Sequence, residues 1–111
     1  MLLPDTIEIA CRDNTKDKVA AKIVGALAFR ADNLRYRRGK KPTQLYSITH
    51  IASGKRIIDE LDLRQVRIAI KRLQAIDWAN PCFTAEAPGF SDPVYKAACD
   101  MVRDLRWELM Q

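Results

Sequence analysis

A glycine between two β-favouring runs, followed at once by a capped amphipathic helix, constrains this chain more than any other feature. Leu45, Tyr46, Ser47, Ile48, Thr49, His50 and Ile51 form the first run, rich in side chains that pack well on a pleated surface. Ala52-Ser53-Gly54 fits a three-residue hairpin loop, in which Gly54 takes positive φ without a Cβ clash. Lys55-Arg56-Ile57-Ile58 is the returning strand. Asp62 is placed to cap a helix, and Gln65, three residues on, to reach back as its capping-box partner. Leu63, Val66, Ala69, Ile70, Leu73 and Ile76 recur at helical spacing. Trp78 follows, and Asn80-Pro81 stops the helix, because a residue before proline avoids the α region.

The rest of the chain arranges itself around that unit. Ile7, Ile9 and Cys11 alternate with Thr6, Glu8 and Ala10, so residues 6–11 read as a strand. Residues 18–30 admit two readings. As a strand, Val19, Ala21, Ile23, Leu27 and Phe29 share a face; as a helix, Val19, Ala20, Ile23, Val24 and Leu27 form a stripe, which the alanines favour. The strand is adopted because the alternation continues past Gly25 to Arg30, with Gly25 marking a bulge or a close backbone approach. Residues 30–43 become the polar tip of a long hairpin. Pro81, Pro88 and Gly89 break the connector after the first helix. Asp92 caps a last helix with Pro93 at its first position. Its apolar stripe is Val94, Ala98, Met101, Val102, Leu105 and Leu109. The expected fold is α+β: an antiparallel β-sheet of about four strands (6–11, 18–30, 44–51, 55–58) packed against two helices (62–77 and 92–110).

At 111 residues this is one domain, 1–111, large enough to bury a core. No apolar run approaches the ~18 residues that span a bilayer, which argues against a membrane partner. Met1-Leu2-Leu3-Pro4-Asp5 lacks the basic flank and apolar stretch of a signal peptide, so a cytoplasmic location is expected. Cys11, Cys82 and Cys99 are widely spaced and His50 is the sole histidine, which leaves no zinc-ligand pattern. The cysteines read as reduced, mostly buried thiols. No nucleophile–base pair, P-loop or dinucleotide fingerprint accompanies His50, which reads as a hydrogen-bonded structural residue. No catalytic residues, metal ligands or cofactors are expected, and the chain is read as not an enzyme.

Charge points elsewhere. Lys and Arg total 19 against 14 Asp and Glu, giving +5 and a pI near 9.3, a balance that favours an anionic partner. Arg35, Arg37, Arg38, Lys40 and Lys41 crowd the loop, with Tyr36 among them. Cations pair with phosphates and an aromatic ring stacks on an unpaired base. The competing reading is a solvated hairpin tip that blunts strand edges. Arg64, Arg67 and Lys71 lie opposite the apolar stripe of the first helix, with Lys55 and Arg56 just upstream. Such a face also suits simple solvation, although its single sign of charge is unusual for that role. On the last helix Lys96, Arg103 and Trp107 project away from the stripe, as a protein interface would, or Trp107 folds onto the core.

Ser47-Ile48-Thr49-His50-Ile51-Ala52-Ser53-Gly54, followed by Arg56-Ile57-Ile58, a helix and Asp77-Trp78, resembles a group of small phage and mobile-element proteins. They share a T-H-x-x-[ST]-G strand-turn-strand, preceded by an apolar strand such as Lys22-Ile23-Val24-Gly25. The resemblance covers roughly residues 18–78. It implies a phage-type setting and brings no activity. Small accessory proteins in that setting bind nucleic acid or disarm host defences. Two partners are therefore expected as alternatives: a nucleic acid, met by the loop and first-helix cations, or a host protein such as a CRISPR-type nucleoprotein complex, met by the Lys96–Arg103–Trp107 face.

Overall fold

The computed structural model describes residues 5–10, 15–84 and 92–111. Strands β1 (Asp5–Ala10), β2 (Lys16–Val24), β3 (Leu27–Arg35), β4 (Thr43–His50) and β5 (Lys55–Leu61) form one 5-stranded antiparallel sheet in sequence order. Helix α1 (Leu63–Leu73), a 3-10 turn (Pro81–Phe83) and helix α2 (Pro93–Leu109) follow. This is the expected α+β class, with a fifth strand. Cys11 and most of the connector 82–90 lie outside the described residues.

The additional strand comes from residues 18–30, which are two strands and not one. Gly25 takes φ 64° in a two-residue turn with Ala26, and Val24 pairs with Leu27, Ile23 with Ala28 and Lys22 with Phe29. Paired residues share a face of a sheet, so the turn sends Leu27 and Phe29 to the side opposite Ala21 and Ile23. A straight strand would have kept them together. The polar connection shortens accordingly, since β3 continues to Arg35 and pairs with Thr43. β2 also changes partner along its length, meeting β1 over Lys16–Ala21 and β3 over Lys22–Val24. The sheet curls at that point, and β1 comes round to β5.

Two cores result. Leu27, Ile48, Ile58 and Leu61 of the sheet bury against Val66, Ala69, Ile70 and Leu73 of α1, with Ala98 and Leu105 of α2. The inner side of the curl holds Ile7, Ala21 and Ala28, beside the buried Ser47 and Thr49 of β4. β5 serves the larger core through a bulge. Tyr46 pairs with Leu61 and Ile48 with Ile58, so Asp59 and Glu60 together oppose Ser47, and Glu60 adopts φ 56°. The extra residue lets Ile58 and Leu61 point the same way.

Helix α1 starts where its sequence directs. Asp62 Oδ1 accepts from Gln65 N (2.8 Å), and Gln65 Oε1 accepts from Asp62 N (2.9 Å). The helix ends at Leu73, short of the expected 77, because Ala75 N–H and Ile76 N–H donate to Arg72 and Leu73 carbonyls three residues back. Trp78 Nε1 also donates to the Leu73 carbonyl (2.8 Å), folding the chain back under the helix end. Leu63, expected in the apolar stripe, is 39% exposed at the first turn. Asp62→Ala should lower unfolding free energy by about 0.5–2 kcal/mol, read from urea denaturation. Asp62→Asn, which keeps an acceptor oxygen, should recover most of that loss.

Candidate nucleic-acid interface

The basic loop is an ordered turn. Lys40 N–H donates to the Arg37 carbonyl (3.1 Å), and Gly39 takes φ 75° with nothing within 4 Å of the position a Cβ would fill. Gln44 Nε2 braces its base by donating to the Asn33 carbonyl (2.9 Å). Arg37, Arg38, Lys40 and Lys41 are exposed, Arg35 is half-buried, and Tyr36 is 74% exposed.

Strand register fixes where the other cations lie. Leu61 pairs with Tyr46, near the Thr43 end of β4, so α1 begins at the same end of the sheet as the loop. Arg64 and Arg67 are exposed on its first turns, and Lys71 follows about 10 Å further along from Arg64. Lys55 pairs with His50 at the opposite end of β4, roughly 24 Å from the loop. The structure therefore places Arg64 and Arg67 toward the loop end of β4, and Lys55 and Arg56 toward its other end.

Ion pairing sorts the arginines along similar lines, whereas Lys55 at the far end is unpaired among the described residues, like the loop cations. Among the described residues, Arg35, Arg37, Arg38, Lys40, Lys41, Arg64, Arg67 and Lys71 carry no ion pair. Around β5 and α2 most arginines are held: Arg56 by Asp32 (3.8 Å) and Asp59 (3.5 Å), Arg106 by Asp59 (3.3 Å), and Arg72 by Glu108. Arg103, the arginine expected to flank Trp107, bridges Asp100 (3.3 Å) and Asp104 (3.5 Å). Lys96 is exposed, and Trp107 is 67% exposed and off the core.

Sequence reasoning missed a cleft at the far end of β4. A cavity of about 360 Å³ opens between the β4–β5 turn and α2. His50, Trp78, Phe83 and Tyr95 line its inner wall. Trp78 lies against His50 (centroids 5.3 Å apart) and Phe83 (4.8 Å), and Phe83 meets Tyr95 (6.2 Å). Lys55, Arg56, Arg103 and Arg106 line the exposed margin, and among the described residues no carboxylate lines the cavity. These groups come from separate segments, so no local spacing announces them. Cys82 is buried nearby, and burial first, then Asp92 and Asp77, pushes its thiol upward and keeps it protonated. Cys99 is half-buried beside Tyr95.

His50 is hydrogen-bonded, as expected, with Nδ1 2.9 Å from Ser53 Oγ. Nε2 is buried and makes no hydrogen bond of ordinary geometry among the described residues, although the Trp78 backbone lies close enough to favour a protonated ring. Burial outweighs that effect and holds His50 below the ordinary value of 6.5. The unfolded chain then binds a proton more readily than the fold, so this contribution to stability is complete above pH 6.5 and is lost as pH falls below it. Urea midpoints taken on both sides of pH 6.5 should drop toward acid in the wild type and less so in His50→Gln. Equal declines would remove His50 as the cause.

Among the described residues, no helix is long and apolar enough to cross a membrane, and no three His, Cys, Asp or Glu side chains are grouped to hold a metal ion. Comparison with known protein families, with curated proteins and with solved structures finds no match for this chain.

Proposed function

We propose that this chain is a non-enzymatic nucleic-acid-binding accessory protein of a phage or mobile element, with the loop Arg35–Lys41 and the first turns of α1 as its contact surface. The observation that carries this reading is the sorting of ion pairs. Among the described residues, the arginines of the loop and of the first turns of α1 make no ion pair, whereas those around β5 and α2 are paired. Unpaired exposed cations exchange their counterions for phosphates, which gives affinity a steep salt dependence. Tyr36, exposed among them, offers a face on which an unpaired base stacks. The phage-type setting is supported by the resemblance over residues 18–78.

Fluorescence anisotropy with single- and double-stranded DNA and RNA, titrated at increasing salt, tests the proposal. Binding that weakens linearly in log salt is the expected result. Absence of binding to every probe at low salt would refute it.

A second reading, an inhibitor that docks on a host defence protein, draws on Trp107 (67% exposed) and Met110 (78% exposed) at the end of α2. Large exposed apolar groups of this kind anchor protein interfaces. A host partner retained after nuclease treatment and lost in Trp107→Ala would favour it. Retention that depends on nuclease-sensitive material would favour the first reading.

A further inference from the structure

We propose that the cleft between the β4–β5 turn and α2 is a nucleotide-binding site, with a nucleobase against Trp78, Phe83 and Tyr95 and its phosphate at Lys55, Arg56, Arg103 and Arg106. The site goes beyond the loop reading. It lies at the opposite end of β4 and uses none of the loop residues, so the two stand or fall separately.

Its chemistry is divided in the way a nucleotide is divided. The inner wall is aromatic, and a flat ring gains there from stacking and edge contacts. The cavity, about 360 Å³, falls at the small end of the range that holds small ligands. Among the described residues, the charged groups of the margin are all cationic. A phosphate dianion accepts hydrogen bonds from several donors at once and draws on this margin more fully than a carboxylate can.

The arginines are held for that purpose. Asp59, Asp100 and Asp104, which bridge Arg56, Arg103 and Arg106, do not line the cleft. A guanidinium has five N–H donors, so a carboxylate outside the cleft fixes its position without exhausting it. Lys55 has no ion pair among the described residues and adds a mobile charge at the mouth. His50, 3% exposed, lines the same cavity, and the fold supplies its buried Nε2 with no partner of ordinary geometry. A small shift of that ring would bring a polar handle to the edge of a bound base.

The ligand is either a free mononucleotide or the terminal nucleotide of a strand. The experiment follows the two tryptophan indole N–H resonances of the ¹⁵N-labelled chain, assigned with Trp107→Phe. AMP, CMP, GMP and UMP are titrated separately, then one short oligonucleotide with and without a 5′-phosphate. Saturable movement of the Trp78 resonance with a mononucleotide identifies a free-nucleotide site. Movement only with the 5′-phosphorylated strand identifies a strand-end site. In either case the double variant Lys55→Glu, Arg103→Glu should weaken binding at least tenfold while its ¹⁵N spectrum remains that of a folded chain, and Arg37→Ala, Arg38→Ala should not affect it. If no probe moves Trp78 saturably, or if the charge reversals leave affinity unchanged, the proposal is overturned. Strand binding that depends on the loop and leaves Trp78 still would overturn the cleft and uphold the loop. Mononucleotide binding with no affinity for longer strands would do the reverse.

Discussion

Trp78→Ala should lower the unfolding free energy by about 3–5 kcal/mol, a large share of the roughly 5–15 kcal/mol that holds a domain of this size. Trp78 is 8% exposed and joins three parts of the molecule. Its ring packs at a tilt against His50 of β4 and Phe83 of the 3-10 turn, and its Nε1 donates to the Leu73 carbonyl at the end of α1. Truncation removes the ring contacts and leaves a void among side chains that cannot all collapse into it. The Leu73 carbonyl keeps the Ile76 N–H, so the lost hydrogen bond is the smaller part. Trp78→Phe separates the two effects: it retains most of the ring packing, forfeits the N–H, and should cost roughly 0.5–1.5 kcal/mol for the hydrogen bond together with a small packing loss. Urea denaturation of both variants measures the difference. Similar losses for Phe and Ala would place the weight on the indole N–H.

Replacing Arg37, Arg38, Lys40 and Lys41 together by alanine should leave the fold intact and remove most nucleic-acid affinity. All four are exposed and unpaired among the described residues, so nothing in the core registers their loss. Each phosphate contact contributes about 0.9 log units of affinity per tenfold change in salt on duplex and about 0.7 on a single strand. Loss of four such contacts lowers the slope by about 3.6 on duplex or about 2.8 on single strands, and lowers affinity near 0.1 M salt by about three orders of magnitude. Tyr36→Ala is the informative companion. If a base stacks there, it should weaken single-strand binding by about 1–3 kcal/mol and leave the salt slope nearly unchanged. A quadruple variant with an unaltered slope would move the interface away from the loop.

Local rules were legible where they were complete within a few residues. Gly54, with φ 70°, the reciprocal bonds of Asp62 and Gln65, and Pro93 at the start of α2 each carry their own geometry. Residues 18–30 were misread in detail because a two-residue turn leaves the alternation running through it while exchanging the faces. Ile23 and Leu27, four apart, look like neighbours on one side; the Ile23–Ala28 pairing sets them on opposite sides. The loop cations were identifiable from their density, and their lack of ion pairs among the described residues depended on tertiary placement. The cleft was illegible for the same reason. His50, Trp78, Phe83 and Tyr95 have ordinary surroundings in the sequence, and only the return of α2 beside β5 brings them to one cavity.

The bulge in β5 also governs how this sheet can be extended. β5 is an outer strand of the strand order, approached by β1 but not laddered to it, and an outer strand with a regular run of free amides and carbonyls invites pairing with another chain. Here the regular run is interrupted at Asp59 and Glu60 by the left-handed φ of Glu60, and Lys55, Arg56, Asp59 and Glu60 set charges along it. Recruitment of a partner by adding a strand to β5 is therefore disfavoured, as is end-on stacking of sheets into fibrils. On that edge, recognition falls to side chains, and changes that straighten the bulge, such as deletion of Glu60, trade resistance to aggregation for a more regular ladder.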